Sequence, residues 1–287
     1  MSLGARILAF AGRRGALAGW KQRLITGILL LAVLASGLAL GGWVFRLLLL
    51  GVVLAGLLEL YGLFWPGRRR LPLKACGLLC GGGMILGQAF SPFYPSLFLV
   101  LGCAAAALAF LFEYGRGRAG ARLQDYAPLV FGLVYIPFAI QLGLPLSTAE
   151  QALIIAAAVA TDTGAYYAGV RFGRHKIRPA VSPKKSWEGA AGGLAACLAV
   201  CLLAGAFASG RHLPPLPLWG WACAGLGLSL AAQCGDFFES ALKRSVDVKD
   251  SSALFPGHGG MLDRLDSILF VIPAYSLLRL TADLLFP

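Results

Sequence analysis

Ionisable side chains gather where one apolar run of the sequence ends and the next begins. The run that ends near residue 236 continues into a segment rich in charged and hydroxyl groups. An ionisable residue at the end of an apolar span is costly, so each one is a candidate functional residue. If the helix continues, the spacing i, i+3, i+4 and i+7 places four polar residues on one face. These four residues are Asp236, Glu239, Ser240 and Lys243.

A glycine-rich segment and a pair of acids follow, directly before the last apolar run. Asp263 and Asp266 are spaced i, i+3 in the first turns of the predicted helix, where the helix dipole favours negative charge. The preceding run from His258 to Gly260 allows backbone N–H groups to approach an anion closely. Carboxylates from two helices beside basic residues suit a divalent cation that bridges phosphate oxygens. Mg²⁺ fits best, because it favours one or two carboxylates plus substrate phosphates.

A second polar group lies upstream. Asp162 lies within an apolar stretch, and the run Ser182–Glu188 combines paired lysines with two hydroxyl groups. Ammonium and hydroxyl groups at this spacing would bind a polyphosphate. The structural alternative is a positively charged membrane loop in which Ser186 only caps a helix. Likewise, Asp263 could be a helix cap, and basic side chains could extend to lipid headgroups.

The composition defines the scaffold that must position these groups. Of 287 residues, 58% are hydrophobic and only 13% are charged, about half the charged fraction of typical soluble domains. The mean hydropathy is +0.76. These values exclude a soluble globular domain, a disordered chain and a disulfide scaffold. They predict an all-α, polytopic integral membrane helical bundle.

Nine apolar runs are long enough to be membrane spans. We expect two regions, residues 1–145 with spans one to five, and residues 146–287 with spans six to nine and their cytoplasmic loops, which include the candidate functional residues. The predicted spans are residues 24–41, 43–65, 73–90, 95–112, 127–144, 149–170, 189–209, 216–236 and 265–286.

The basic residues predict the orientation of these spans. Of 25 Lys and Arg residues, all except Arg46, Arg211 and Arg279 fall on one side of the predicted membrane. The positive-inside rule makes that side cytoplasmic and places the N-terminus there. It also explains the net charge of +12 without any nucleic-acid partner. Both sets of candidate functional residues, those from Asp236 to Asp266 and those from Asp162 to Glu188, are thus expected on the cytoplasmic side.

Several polar segments of the sequence together resemble one enzyme family, the phosphatidate cytidylyltransferases or CDP-diacylglycerol synthases. The resemblance is most specific from residue 160 onward, where the spacing of more than 20 positions is similar to the family signature. The similar runs are Arg23–Gly27, Asp162–Gly173, Ser182–Gly189, Ser240–Arg244, Lys249–Asp250 and Pro256–Asp266.

The resemblance implies transfer of CMP from CTP to phosphatidic acid, giving CDP-diacylglycerol and pyrophosphate. It implies Mg²⁺ on Asp236 and Asp263, a further cation site at Asp266, and proton transfer as a weaker role for His258. It also implies a bacterial inner membrane with the active site on the cytoplasmic side. The implied catalytic residues are Asp236, Lys243, Arg244, His258, Asp263 and Asp266. The implied substrate-binding residues are Asp162, Ser182, Lys184, Lys185, Ser186, Glu188, Ser240, Gly259, Gly260 and Arg264.

Some alternatives stay open at the level of sequence. A CTP-dependent lipid-alcohol kinase would use similar groups but release CDP. A CDP-alcohol phosphotransferase ranks third, because its acidic motif is denser than the one here. A transporter would be expected to show internal repeats, and none is convincing. Also open are a second, monovalent cation such as K⁺, a homodimer, and which basic cluster binds which substrate.

Overall fold

The computed structural model describes residues 26–67, 70–116, 122–208, 212–252, 254–255 and 259–285. Within these ranges the secondary structure is helical, with only two isolated β-bridges. The basic N-terminal segment that indicated the orientation lies outside the described residues. In chain order the helices are α1 Thr26–Leu40, α2 Gly42–Phe64, α3 Leu71–Gly87, α4 Tyr94–Gly115, α5 Ala127–Gln141, α6 Thr148–Phe172, α7 Trp187–Ala208, α8 Leu218–Ser245, α9 Leu262–Leu265 and α10 Ile268–Leu285.

The all-α membrane architecture predicted from the sequence is confirmed. Each of the nine predicted spans coincides with a helix, the last with α9 and α10 together. Five segments are long and apolar enough to cross a membrane: Gly42–Phe64, Tyr94–Gly115, Thr148–Phe172, Trp187–Phe207 and Leu262–Leu284. Three others, α1, α3 and α5, are apolar but shorter. Helix α8 continues nine residues past the predicted end of its span, so all four polar residues of that segment lie on one helix.

Local sequence signals account for the ends and interruptions of the helices. At the start of α6, the Ser147 hydroxyl accepts a hydrogen bond from the Glu150 amide, and Glu150 accepts one from the Ser147 amide. This reciprocal pair is a capping box. Pro137 lies inside α5 within a π-helical turn, Val134–Phe138, where the proline cannot donate an amide hydrogen bond.

Close packing of α6, α7 and α8 brings the polar segments together. A Cβ on Gly192 of α7 would lie 2.8 Å from the Gly164 carbonyl oxygen of α6, so the two backbones approach closely. At α8, a Cβ on Gly225 would lie 2.8 Å from the Cα of Leu198 in α7. Small residues permit such close helix contacts in membranes. The three helices therefore form one rigid support for the side chains at their polar ends.

The last span is broken between Leu265 and Ile268, next to α8. The backbone of Gly235 in α8 contacts the Asp266 carbonyl oxygen, leaving no room for a Cβ. This contact places Asp266 beside the α8 residue that follows the glycine, Asp236. The break thereby brings an acid from the last span against the polar end of α8.

Candidate active site

A cavity of about 460 Å³ lies between α6, the following loop and α8. Its apolar lining comes mainly from α6, with Ala165, Tyr166 and Val170. The rest of the lining is largely polar and includes two of the predicted acids, of which Asp162 lies on α6 as well, and three lysines. The polar lining residues are Asp162, Lys176, Lys184, Lys185, Ser186 and Asp236. Both polar segments of the sequence therefore contribute residues to this cavity, the first through Asp236 and the second through Asp162 and Lys185.

Lys185 and Asp236 form the central ion pair of the cavity. The Lys185 Nζ lies 2.7 Å from Asp236 Oδ2, and it also lies 3.9 Å from the centre of the Phe237 ring. The aromatic face adds a cation–π attraction to the ion pair. The carboxylate of Asp236 is still 34% exposed, so it faces the cavity as well as the lysine.

The loop that carries the lysines is held at its base by Glu188. This carboxylate accepts hydrogen bonds from the backbone amides of Arg174 and His175, at 3.1 and 3.2 Å, and contacts His175 Nδ1 at 2.6 Å. Ser186 is buried, and its hydroxyl accepts a hydrogen bond from the Gly189 amide at 3.2 Å. Glu188 therefore positions the loop, and Ser186 caps α7 at the wall of the cavity.

A second ion-pair group lies at the end of α8. Lys243 Nζ lies 2.6 Å from Glu239 Oε2 and 2.5 Å from Asp263 Oδ1. All three side chains are largely buried, and that of Glu239 is only 1% exposed. The lysine thus joins α8 to the start of the last span and balances two carboxylates.

Asp263 is surrounded by hydrogen-bond donors. Its Oδ2 accepts from the Gly260 amide at 2.8 Å and from the Ser251 amide and hydroxyl at 3.0 and 2.8 Å. Gly259 has a φ of +78°, and a Cβ there would lie 2.6 Å from Asp263 Oδ2. The glycines therefore allow the loop backbone to wrap around this carboxylate.

Asp162 and Asp266 lie between the cavity and the second ion-pair group around Lys243. Asp162 accepts a hydrogen bond from the Ser267 hydroxyl at 3.4 Å, beside the break in the last span. The carboxylates of Asp162, Asp236 and Asp266 lie close enough for their negative charges to repel one another. Asp266 is repelled by Glu239 as well. The site is consequently one continuous polar region that α6, α8 and the last span build together.

The chain is similar in sequence to known proteins along most of its length. Residues 21–281 match the sequence model of the cytidylyltransferase family. The chain belongs to this family. The chain is 37% identical over 160 residues to a phosphatidate cytidylyltransferase of Mycobacterium bovis, covering 54% of this chain and 51% of that protein. It is 49% identical over 121 residues to one of Bacillus subtilis, covering 42% and 44% of the two chains.

A further relative in the cytidylyltransferase comparison is the phosphatidate cytidylyltransferase of Haemophilus influenzae. The identity is 41% over 117 residues, covering 41% of each chain. The chain therefore spans about half the length, or somewhat less, of these curated relatives. Family membership is established by the match over residues 21–281.

The remaining site residues predicted for a cytidylyltransferase lie around this centre. Lys184 is exposed at the cavity, and its carbonyl oxygen lies 3.4 Å from the Lys176 Nζ. Arg244 donates a hydrogen bond to the Val248 carbonyl oxygen at 3.0 Å. Ser182 lies in the loop between α6 and α7.

The other predicted residues lie on or near the last two helical segments of the site. Ser240 is partly buried on α8. Arg264 of α9 is exposed, and its charge lies near Asp162. His258 lies outside the described residues. Substrate contacts for all these residues stay predictions.

The oxygen donors of the site fit a magnesium ion that completes its coordination with substrate phosphates. Among the described residues, no group of three or more His, Cys, Asp or Glu side chains is arranged to hold a metal. Asp236 offers an exposed carboxylate, with Asp162 and Asp266 close enough for charge interaction. Mg²⁺ typically takes one or two carboxylates plus phosphates.

Asp263 as a magnesium ligand stays a prediction. Its oxygens already accept hydrogen bonds from Lys243, Ser251 and Gly260.

Some contributors were not assigned a role from the sequence. Glu239 was placed on the polar face of α8, but its ion pair with Lys243 was not predicted, although the i, i+4 spacing of opposite charges is a known signal. Ser251 and Phe237 carried no signal. Glu59 of α2 had no partner that the sequence could indicate, and the structure places it against the loop that precedes Asp263.

Proposed function

We propose that this protein transfers the cytidylyl group of CTP to phosphatidic acid, giving CDP-diacylglycerol and pyrophosphate. The observation that carries the proposal is the mixed lining of the cavity, with apolar surface at Tyr166 and Val170 and charged groups at Lys185 and Asp236. An amphipathic lipid with a phosphate headgroup has the matching chemistry. The names and sequences of the relatives support the same substrates.

The reaction needs little acid–base chemistry from the protein. An oxygen of the phosphatidate phosphate attacks the α-phosphorus of CTP, and the bond from that phosphorus to the bridging oxygen of the β-phosphate breaks. The attacking phosphate is already anionic near neutral pH, since phosphate monoesters have a second pKa of about 6. The barrier therefore comes mainly from bringing two anions together and from the charge that develops on pyrophosphate.

The basic residues of the site would offset that charge. Lys185 and Lys184 would bind phosphate oxygens in the cavity, while Arg244 and Arg264 would do so at the second group. Lys243 is already balanced by two carboxylates, so its main task is to hold Asp263 in place. Asp236, with Asp263 or Asp266, would hold Mg²⁺, which neutralises phosphate oxygens when bound. A monovalent cation has no dedicated site in this proposal.

The membrane setting is consistent with this scheme. The protein is a multi-pass membrane protein, and its relatives are bacterial. We place it in the bacterial inner membrane with the site facing the cytoplasm, where CTP is available. In this arrangement residues 146–287 supply the reacting groups and residues 1–145 support them. A homodimer is compatible with the scheme and is not required by it.

A detergent-micelle assay with CTP, Mg²⁺ and phosphatidic acid, following pyrophosphate and CDP separately, tests the proposal. We expect lipid-dependent pyrophosphate release that falls about a hundredfold or more in Asp236→Asn, as for the loss of one electrostatic group at a reacting centre. Asp283→Asn is the matched control, because this exposed acid pairs with Arg279 near the far end of α10. CDP release with a lipid alcohol would instead identify a kinase. No turnover by folded protein would favour a transporter.

A further inference from the structure

We infer that Glu59 is a positioning residue, which fixes, from the opposite half of the chain, the loop that precedes Asp263. The described residues of this loop include Ser251, Ser252, Gly260 and Met261. This inference rests on the proposed function for its kinetic test. Glu59 lies near the end of α2, about 200 residues before the loop in sequence. Among the described residues, its hydrogen-bond partners are not residues that line the cavity, so its role would be exerted through the loop that it holds.

Among the described residues, Glu59 has four hydrogen-bond contacts, and all of them go to that loop and to the first residue of α9. Its Oε1 accepts from the Ser252 hydroxyl at 2.6 Å and from the Met261 amide at 2.9 Å. Its Oε2 accepts from the Leu262 amide at 2.8 Å and lies 3.0 Å from the Ser251 hydroxyl. A carboxylate can accept about four hydrogen bonds, so these contacts engage most of its acceptor capacity.

Glu59 and Asp263 divide the donors of the same turn between them. The Gly260 amide donates to Asp263, whereas the next two amides, of Met261 and Leu262, donate to Glu59. The Ser251 hydroxyl lies within hydrogen-bond distance of both carboxylates but has one proton to donate. Gly260 also packs directly against Glu59, leaving no space for a Cβ. The position of Asp263 therefore depends on where Glu59 holds the turn.

An amide at this position cannot replace the carboxylate. Each oxygen of Glu59 faces one backbone N–H, that of Met261 or that of Leu262. In Glu59→Gln, either orientation of the side chain directs its NH₂ group at one of these two donors. The loop must then shift, and displacements of about 1 Å at a reacting centre cost up to about a hundredfold in rate.

The experiment compares the full-length wild type, Glu59→Gln and Glu113→Gln in detergent micelles. Glu113 is a matched control, because it lies in the same half of the chain and pairs with Arg70 at 3.5 Å, away from the loop. For Glu59→Gln we expect kcat to fall at least about tenfold with the KM for CTP within about twofold. We also expect faster hydrogen exchange at Gly260–Leu262 and an unchanged exchange rate in α6 and α7.

A wild-type kcat in Glu59→Gln would overturn the inference. So would a loss of kcat accompanied by faster exchange throughout the helices, because that result means general destabilisation. If Glu59→Gln does not fold, Ser252→Ala decides, since this hydroxyl contacts Glu59 and not Asp263. We expect a twofold to fivefold lower kcat there, by analogy with the loss of one hydrogen bond of about 0.5–1 kcal/mol, and an unchanged kcat would overturn the inference.

Failure of the proposed function can be told apart from failure of this inference. If the wild type itself releases no pyrophosphate with phosphatidic acid, the proposed function is wrong. The hydrogen-exchange comparison then still tests whether Glu59 holds the loop. Equal exchange at Gly260–Leu262 in Glu59→Gln and wild type would overturn the inference without any activity measurement.

Discussion

Replacing Lys243 by methionine gives a sharp test of how the second ion-pair group stabilises the fold. The ammonium lies 2.6 Å from Glu239 and 2.5 Å from Asp263, and the two carboxylates are 1% and 8% exposed. Lys243→Met keeps the apolar stem of the side chain but leaves both acids without their cation. Removing one partner of a buried ion pair typically costs about 3–5 kcal/mol, because an uncompensated charge remains buried.

We therefore expect Lys243→Met to lower the free energy of unfolding by about 3–5 kcal/mol. The measurement is reversible unfolding by titration with a denaturing detergent, followed by loss of helical circular dichroism. Arg244→Met is the matched control. That neighbouring residue is exposed and, within the part of the chain that the structure describes, donates one side-chain hydrogen bond, to Val248. Its loss should therefore cost no more than about 1.5 kcal/mol.

A double-mutant cycle separates the ion pair from packing. Glu239→Gln removes one of the two buried charges, so its effect in the Lys243→Met background should be small or stabilising. In the wild-type background Glu239→Gln should be destabilising, and the difference between the two is the coupling energy. If Lys243→Met costs no more than Arg244→Met, or if the two substitutions are additive, the reasoning from buried charge is refuted.

Three further substitutions test the packing around the site, each by the same unfolding titration. Gly259→Ala should cost about 1–2 kcal/mol, because φ is +78° and a Cβ would crowd Asp263; an unchanged stability would contradict the loop geometry. Gly192→Ala should cost about 1–3 kcal/mol through overpacking against the Gly164 carbonyl oxygen, and a neutral effect would contradict the close packing of α6 and α7. Ser186→Ala should cost about 1 kcal/mol through loss of the α7 cap, and no effect would leave the serine available only to a substrate.

Much of the fold could be predicted from the sequence because hydropathy and turn residues act locally. The nine apolar runs correspond to the observed helices, and the i, i+3, i+4, i+7 spacing after residue 236 correctly placed four polar residues on one helix. The break between Leu265 and Ile268 was not predicted. At the break, the backbone of Gly235 lies against the Asp266 carbonyl oxygen, and local sequence patterns do not indicate such a tertiary contact.

The candidate site was predicted in its residue types and only partly in its contacts. Asp162, Lys185 and Asp236 do line one cavity, as expected for residues that bind one set of ligands. Ser186 caps α7, the structural alternative that the sequence had left open for it, and Glu188 accepts hydrogen bonds from backbone groups of its own segment. Substrate contacts of these two residues stay predictions. The partners of Glu59 could not be found, because contacts across about 200 residues depend on how the helices pack.

The pairing of charges explains how so polar a site can form inside a membrane bundle before any substrate binds. Lys185 is paired with Asp236, and Lys243 is paired with Glu239 and Asp263. Burial of an unpaired charge is strongly unfavourable, whereas a paired charge offsets most of that cost. The two pairs differ in exposure, since Asp236 is 34% exposed and Asp263 only 8%. An incoming polyphosphate would therefore displace the carboxylate partner of Lys185 at a lower free-energy cost than the partners of Lys243. The Lys185–Asp236 pair is thus suited to exchange its carboxylate for a substrate phosphate, whereas the Lys243 group is suited to stabilise the fold.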